Sequence, residues 1–185
     1  MVNDYGLETK LCRPGEAITL TDGCRIEGYA SLFGLADQGG DVVMAGAYGR
    51  SLARLAAEGR AVRMLWQHDP ARPIGVWDEI VEDGRGLRVR GRILTEVETG
   101  REAAALVAAG AIDGLSIGYR TVTAETDAKG RRLLREVELW EVSLVTFPML
   151  PEARVSAKGD TPEAAALREL AALFEEARRT LAGRA

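Results

Sequence analysis

The sequence predicts a mainly β domain of the α+β class, a small closed barrel or strongly curved β-sheet with two inserted helices. Short apolar runs recur along the chain with turn residues between them, which is typical of antiparallel sheets. Residues 48–56 and 99–109 instead place apolar side chains at helical spacing. Near the end of the chain one apolar stripe faces a surface of Arg and Glu, which predicts a separate C-terminal amphipathic helix.

Strands are predicted on both sides of the first helix. Residues 17–33 alternate apolar and polar positions around an Asp-Gly pair, which is a hairpin signal. The Gly- and Asp-rich residues 34–46 should form a loop, and Gly59 should end the helix. Residues 62–66 form the next strand, which ends at a turn.

The remaining strands are predicted as two hairpins. Residues 74–80 and 87–94 form the first pair, and residues 115–124 and 133–147 form the second pair after the second helix. A proline follows the last strand and closes it, because proline cannot continue a paired strand.

Two segments of different character are expected. Residues 1–155 form the domain with the core, and residues 156–185 form a linker and the amphipathic helix, which suits a scaffold-like or self-cleaved tail. The polar residues 152–160 are expected to be exposed, and exposed polar segments are the usual places for cleavage.

Composition limits the classes of function. The chain has 185 residues, enough for one domain, and its formal net charge of −4 gives no basic field for direct nucleic-acid binding. It has no run of about 18 apolar residues, and residues 1–10 lack a secretory apolar segment, so we expect a cytoplasmic protein without a membrane anchor. A zinc site needs about four ligands and the chain has one histidine, so we expect no metal and no cofactor.

His68 is the only histidine, and therefore the only candidate for an imidazole base near neutral pH. It follows a predicted strand and precedes an Asp-Pro pair that indicates a turn. A histidine in such a place is often an ordinary surface residue, and both interpretations are open from its position alone.

Ser116 lies in a glycine-rich predicted strand. It shares one face of that strand with Gly118, and a serine beside a glycine leaves room for another backbone to approach. Attack on a peptide needs such an arrangement, with a reachable hydroxyl and space for an extended substrate. The motif differs from the nucleophile elbow of α/β-hydrolases, because strand rather than helix follows the serine. A serine in a glycine-rich strand is also common without any function.

A carboxylate falls in the middle of the most apolar strand. Glu141 and Ser143 share one face of a run that is apolar on both sides, as in a buried strand. A buried carboxylate is costly unless it has a partner, and either an imidazole or one of the many arginines would serve. Together with Ser116 and His68 it makes the minimum set for Ser-His-acid acyl transfer.

Four short motifs, taken together, resemble those of the tailed-phage prohead (capsid maturation) serine protease family. In chain order they are residues 28–34 (GYASLFG), 65–69 (LWQHD), 114–119 (GLSIGY) and 141–148 (EVSLVTFP). The resemblance covers the chain from residue 26 to residue 155, and it is specific because all four motifs occur in order. It implies a fold distantly related to the herpesvirus assembly protease (assemblin), a β-barrel surrounded by helices.

The resemblance also implies a function. It implies a serine endopeptidase that cleaves the scaffold segment of the major capsid protein precursor, and also itself, during maturation of a tailed phage or a gene transfer agent. The implied partner is the capsid precursor inside the assembling procapsid, in the bacterial host cytoplasm. Herpesvirus relatives act as dimers, and for this chain self-association is left open.

Carried over by position, the family's histidine falls on His68 and its serine on Ser116. The acidic position of the last motif falls on Glu141, with Glu138 and Asp69 as alternatives. Glu138 lies on the opposite strand face from Glu141, so a regular strand cannot direct both carboxylates at His68. The herpesvirus relatives use a second histidine as the third member, and this chain has none.

The oxyanion of acyl transfer needs hydrogen-bond donors, and two sources are considered. One is the backbone amides of Ile117 and Gly118 beside the serine. The other is Arg131 or Arg132, which the resemblance suggests because the herpesvirus relatives use an arginine-bearing segment. Both arginines fall at a predicted turn, where a solvated surface role is the ordinary alternative.

Other classes of function are weighed against the protease. A non-catalytic capsid assembly factor could keep the protease fold, and the C-terminal amphipathic helix suits that role because its stripe must bury against something. A cysteine hydrolase would pair Cys24 or Cys12 with His68, although both thiols lie outside the matched motifs. No placed pair of acids supports a glycosidase.

Overall fold

The computed structural model describes residues 8–11, 19–37 and 39–146. The strands are β1 (Glu8–Leu11), β2 (Thr19–Thr21), β3 (Arg25–Leu32), β4 (Asp41–Val43), β5 (Arg63–Trp66), β6 (Asp69–Glu82), β7 (Gly86–Ile93), β8 (Gly114–Thr126) and β9 (Arg132–Val145). The helices are α1 (Gly49–Ala57) and α2 (Glu98–Ala108). Within these ranges the strands form one sheet in the order β1-β8-β9-β5-β6-β7-β3-β2, with β4 paired to β9.

The predicted fold class is confirmed in its coarse form. The described part of the chain is mainly β with two short helices, and its sheet curls strongly into a half-barrel rather than closing into a barrel. The concave side holds the core, where the fully buried side chains of β8 and β9 include Leu115, Ile117, Tyr119 and Leu139. Helix α1 packs on β9 and β6, and α2 packs on β6 and β7.

The first predicted hairpin is present. Asp22 and Gly23 both have positive φ, 51° and 69°, in the turn between β2 and β3. Positive φ at both central residues matches the right-handed twist of the paired strands, and Asp and Gly are among the residues that tolerate it. The Asp-Gly signal therefore located this turn correctly.

Two features of the fold differ from the sequence-based expectation. Residues 34–46 were expected as a loop but contain β4, which pairs in parallel with β9 at Asp41↔Arg132. A strand of three residues is too short to show periodicity, and its partner lies far away in the sequence. Strand β6 begins at Asp69 rather than residue 74, so it follows β5 after a loop of only two residues, Gln67 and His68.

Several expectations fall outside the described residues. They are the linker at residues 152–160, the amphipathic helix within residues 156–185, the proline after β9, and Cys12. No helix of the described residues is long and apolar enough to cross a membrane.

Candidate active site

Three neighbouring strands bring the predicted site residues to one face of the sheet. Ser116 of β8 lies directly opposite Ser143 of β9, and Gly118 lies opposite Glu141. Residues directly opposite each other in antiparallel strands project to the same face, with Cβ atoms about 4.5–5.5 Å apart. The other face of these strands carries the core, so the polar side chains of Ser116, Ser143 and Glu141 share the face away from it.

His68 reaches this face from the loop between β5 and β6. Gln67 and His68 have φ values of 54° and 61°, and they join Trp66 to its pairing partner Asp69. This is the pattern of a two-residue hairpin loop with positive φ at both positions. Strand β5 also pairs in parallel with β9, so the loop lies beside the end of β9.

Hydrogen bonds join His68, Glu141 and Ser143. The Nδ1 atom of His68 lies 2.6 Å from Oε1 of Glu141, and the Ser143 hydroxyl donates to Oε2 of Glu141 at 2.5 Å. Glu141 is 5% exposed and Ser143 is fully buried. A carboxylate acceptor at Nδ1 places the ring proton there, which leaves Nε2 as the basic nitrogen.

The Nε2 atom of His68 is buried and has no hydrogen-bond partner in the described part of the chain. A buried polar atom without a partner is uncommon and needs an explanation. A role as general base would explain it, because catalytic hydrogen bonds are often long or poorly aligned before substrate binds.

Gly118 has a more specific role than the sequence suggested. A Cβ atom added there would lie 2.1 Å from Oε1 of Glu141 and 2.8 Å from its Cδ. The space above Gly118 is therefore filled by the Glu141 carboxylate. Only glycine at this position lets the carboxylate lie flat against β8 and reach His68.

The two alternative acids lie elsewhere. Glu138 forms ion pairs with Arg54 and Arg120. It lies opposite Arg120 in the β8–β9 ladder, and a register shift separates it from Glu141, so the expected opposite faces of a regular strand do not apply here. The Asp69 carboxylate accepts the backbone N–H of Ala71 at 2.9 Å within the turn. The structure thus brings Glu141 to His68, and it does not bring Glu138 there.

The structure also does not bring Arg131 or Arg132 to Ser116. Both lie at the turn end of the β8–β9 hairpin, where Arg131 pairs with Asp127 and Arg132 pairs with Asp41. The hydrogen bonds from Arg132 to Asp41, followed by those to Glu8, raise the pKa of Arg132. Arg131 closes the turn, and Arg132 joins β9 to β4 and β1, so we do not retain either arginine as an oxyanion donor.

The Asp41 carboxylate that holds Arg132 also accepts the Tyr119 hydroxyl at 3.4 Å. Burial, and then the negative charge of Asp41, raise the pKa of Tyr119. Because Tyr119 and Ser116 project to opposite faces of β8, this cluster lies on the core side and away from the candidate site.

The backbone amides of Ile117 and Gly118 lie within a three-stranded ladder. Ile117 has a Cα partner on β1 as well as on β9, and so do its two neighbours. A strand flanked on both sides uses its N–H groups in sheet hydrogen bonds. Ser116 itself is fully buried. A substrate can reach these groups only if β1 moves.

The thiol alternative gains no support from the geometry. Cys24 lies in the turn between β2 and β3, and those strands are at the opposite end of the sheet from β8. Among the described residues no group of three or more His, Cys, Asp or Glu side chains is arranged to hold a metal ion.

A serine hydroxyl on one strand, and on the same face of the neighbouring strand a carboxylate hydrogen-bonded to an imidazole, is an arrangement typical of the serine hydrolase class. Comparison with known proteins identifies the family within this class. The chain belongs to the Caudovirus prohead serine protease family, whose sequence model matches residues 15–167.

One curated relative and one solved structure are similar to this chain. The prohead protease of Enterobacteria phage HK97 is 32% identical over 134 residues, covering 71% of this chain and 58% of that protein. The chain therefore spans about three fifths of the length of this curated relative. The bacteriophage T4 capsid assembly protease, gp21, superimposes with a TM-score of 0.58 and 17% identity, covering 77% of this chain and 98% of that one. This second similarity concerns the fold.

Proposed function

We propose that this protein is a serine endopeptidase that cleaves the scaffold segment of a major capsid protein precursor, and itself, inside the assembling procapsid of a tailed phage or a gene transfer agent. Family membership supports the reaction class and the capsid setting. The observation that carries the proposal is the hydrogen bond of 2.6 Å between His68 and the buried Glu141, on the strand face that carries Ser116.

The proposed roles of His68, Ser116 and Glu141 are described by the path of the Ser116 hydroxyl proton. His68 Nε2 takes the proton of the Ser116 hydroxyl as its Oγ attacks the scissile carbonyl carbon. Glu141 accepts the Nδ1–H, holds the ring in this tautomer and stabilises the imidazolium that forms. His68 then gives its proton to the leaving amine, and water releases the acyl group from Ser116 by the same steps in reverse.

The proposal includes an opening step at β8. The tetrahedral oxyanion would be stabilised by the backbone amide of Ile117 or Gly118, which requires that edge of β8 to be released from β1. An extended peptide could then add to the same edge, since unpaired strand edges bind extended chains through main-chain hydrogen bonds.

The test is co-expression of this protein with its capsid precursor. Ser116→Ala should leave the precursor at full length, and His68→Ala should have nearly the same effect, because residues acting as a unit lose most activity together. Glu141→Gln should reduce processing by a factor of about 10⁴, as for the acid of other triads. Gel analysis and mass spectrometry of the capsid protein measure the outcome.

Matched controls come from β9 and from helix α1. Glu138→Gln removes a carboxylate of β9 that pairs with arginines, and Ser51→Ala removes a buried hydroxyl of α1. Both should process the precursor normally. Processing that persists in Ser116→Ala would refute the assignment. An intact precursor with every variant and the wild type would favour the non-catalytic assembly factor.

A further inference from the structure

A second buried serine lies beside the proposed nucleophile. Ser143 is fully buried and lies directly opposite Ser116 in the β8–β9 ladder. Its hydroxyl donates to Oε2 of Glu141 at 2.5 Å and accepts the backbone N–H of His68 at 3.2 Å. One side chain therefore contacts two members of the proposed triad at once.

The backbone that Ser143 contacts is in an unfavourable conformation. Gln67 and His68 both have positive φ, which costs non-glycine residues free energy and persists only when the surroundings enforce it. Each of the two residues is held to β9 by its own N–H. Gln67 donates to the carbonyl of Leu144 at 2.9 Å, and His68 donates to the Ser143 hydroxyl. Ser143 thus supplies one of the two main-chain anchors of this loop.

The hydroxyl also selects which carboxylate oxygen faces the imidazole. It has a single proton, and that proton is given to Oε2 of Glu141. The other oxygen, Oε1, then remains for Nδ1 of His68. Removing the hydroxyl would leave the His68 N–H without an acceptor and Oε2 without its donor, both in a buried site where unmade hydrogen bonds are costly.

We infer that Ser143 is a positioning residue of the proposed Ser116–His68–Glu141 triad, fixing both the loop that carries the imidazole and the rotamer of the acid. This inference rests on the proposed protease function. Ser143 is distinct from the nucleophile, because its hydroxyl already donates to Glu141 and meets His68 through the backbone rather than through the ring.

The experiment compares three variants of the full chain. Ser143→Ala removes the hydroxyl and Ser143→Thr retains it. Ser51→Ala is the matched control, because Ser51 is also buried and also accepts a backbone N–H from β9, that of Leu139 at 2.9 Å, but contacts no triad member. Any general loss of stability should therefore be shared by Ser143→Ala and Ser51→Ala.

The first readout is the rate at which a fluorophosphonate modifies Ser116, located by peptide mass spectrometry. Every variant must release β1 before Ser116 can be labelled. The ratio of the labelling rate of a variant to that of the wild type therefore reports the geometry of the site. Ser143→Ala should be about 10- to 100-fold slower than wild type, the range expected for loss of a hydrogen bond to a charged group. Ser143→Thr should stay within a few-fold of wild type, and Ser51→Ala should be unchanged.

The second readout is the ¹⁵N spectrum of the imidazole, which is unambiguous because the chain contains one histidine. Wild type, Ser143→Thr and Ser51→Ala should show one tautomer with its proton on Nδ1. Ser143→Ala should show a mixture of tautomers or a displaced Nδ1–H signal. This spectrum needs no enzymatic activity.

The two proposals fail in different ways. Wild-type labelling of Ser116 together with an unchanged rate and spectrum in Ser143→Ala would overturn the positioning role alone. Absence of any Ser116 adduct in the wild type would overturn the protease function, while the spectra would still decide whether Ser143 orients His68. An adduct on Ser143 instead of Ser116 would overturn both.

Discussion

Gly118 shows how strongly the site depends on single residues. Glu141 can be buried because the His68 imidazole and the Ser143 hydroxyl satisfy its two oxygens, and because Gly118 leaves space for the carboxylate. A carboxylate that lost these partners would be costly at 5% exposure. The absence of a Cβ atom at Gly118 is therefore as necessary to the site as its polar groups.

Gly118→Ala is expected to inactivate the protein while leaving the fold intact. The new methyl group would overlap Oε1 of Glu141, so the carboxylate must swing away from His68. We expect precursor processing and Ser116 labelling to fall by at least about 100-fold, approaching the loss seen when a triad acid is replaced. The melting temperature, measured in parallel, should change little compared with this loss of activity.

The control for this substitution is Gly84→Ala. Gly84 has open space where its Cβ atom would lie and has no positive φ, so alanine should be accepted without effect. Normal activity in Gly118→Ala would mean that Glu141 is not the acid on which His68 depends.

At the residue scale the sequence predicted which side chains the structure brings together, but not how they are arranged. The alternation of β9 placed Glu141 and Ser143 on one face, and the single histidine left no other base. The role of Ser143 could not be predicted, because it depends on where the backbone of His68 lies, 75 residues away in sequence. The pairing of Arg132 could not be predicted for a similar reason, since its partner Asp41 comes from a strand too short to recognise.

At the element scale β1 covers the edge of β8 beside Ser116. Its four residues pair with β8 in the register Leu11↔Ser116, and they occupy the edge that a substrate would need. The strand is anchored through Glu8, whose carboxylate accepts the backbone N–H of Thr121 at 3.2 Å and pairs with Arg132. So short a strand gives no periodic signal, and the sequence did not predict it.

The charge of Glu8 makes the anchoring of β1 dependent on pH. Burial opposes ionisation of this carboxyl, but hydrogen bonds from Thr121 and Arg132 outweigh it and hold the pKa of Glu8 below 4.5. The unfolded chain therefore binds a proton at Glu8 before the folded chain does as the pH falls. The stabilisation is full above about pH 4.5 and is lost as the pH drops through the lower folded value.

Glu8→Gln should accordingly lower the melting temperature at pH 7, and lower it by less at pH 3. The Glu8 side chain is 34% exposed, and solvent screening limits the effect to about 1 kcal/mol or less, which is about 2–4 °C at this size. Differential scanning calorimetry at both pH values measures it. Glu125→Gln, at the more exposed pair with Arg135, is the control and should shift the melting temperature less.

Glu8→Gln should also change the access of a probe to Ser116. Because β1 covers the edge at Ser116, Glu8→Gln should raise the rate of fluorophosphonate labelling at pH 7 by a few-fold, whereas Glu125→Gln should not. An equal or slower rate in Glu8→Gln would show that β1 does not limit access to Ser116.

At the scale of the whole molecule, the local pairings were predictable and the long-range pairings were not. The hairpins β2–β3, β6–β7 and β8–β9 join strands adjacent in the chain, and turn residues marked them. The pairings that build the site join β5 to β9 and β1 to β8, and nothing in a single sequence specifies which distant strands become neighbours.

This architecture makes the site a property of the complete fold. His68 and Glu141 are 73 residues apart in sequence and meet only when β5 lies beside β9. Those two strands also supply core residues, Met64 and Val142, that pack in the same hydrophobic cluster as α1 and α2. We therefore expect the hydrogen bond between His68 and Glu141 to form and unfold together with the core.

Urea unfolding should accordingly give one transition, whichever feature is followed. Tryptophan fluorescence reports packing around Trp77, which packs on the core and donates to the carbonyl of Val142, and the ¹⁵N signals of His68 report the hydrogen bond to Glu141. Coincident curves are the mark of a two-state change. The core variant Leu144→Ala should shift both curves equally, by about 2–5 kcal/mol, because Leu144 is fully buried. Loss of the imidazole signal at lower urea than the fluorescence change would show instead that the loop carrying His68 opens independently of the sheet.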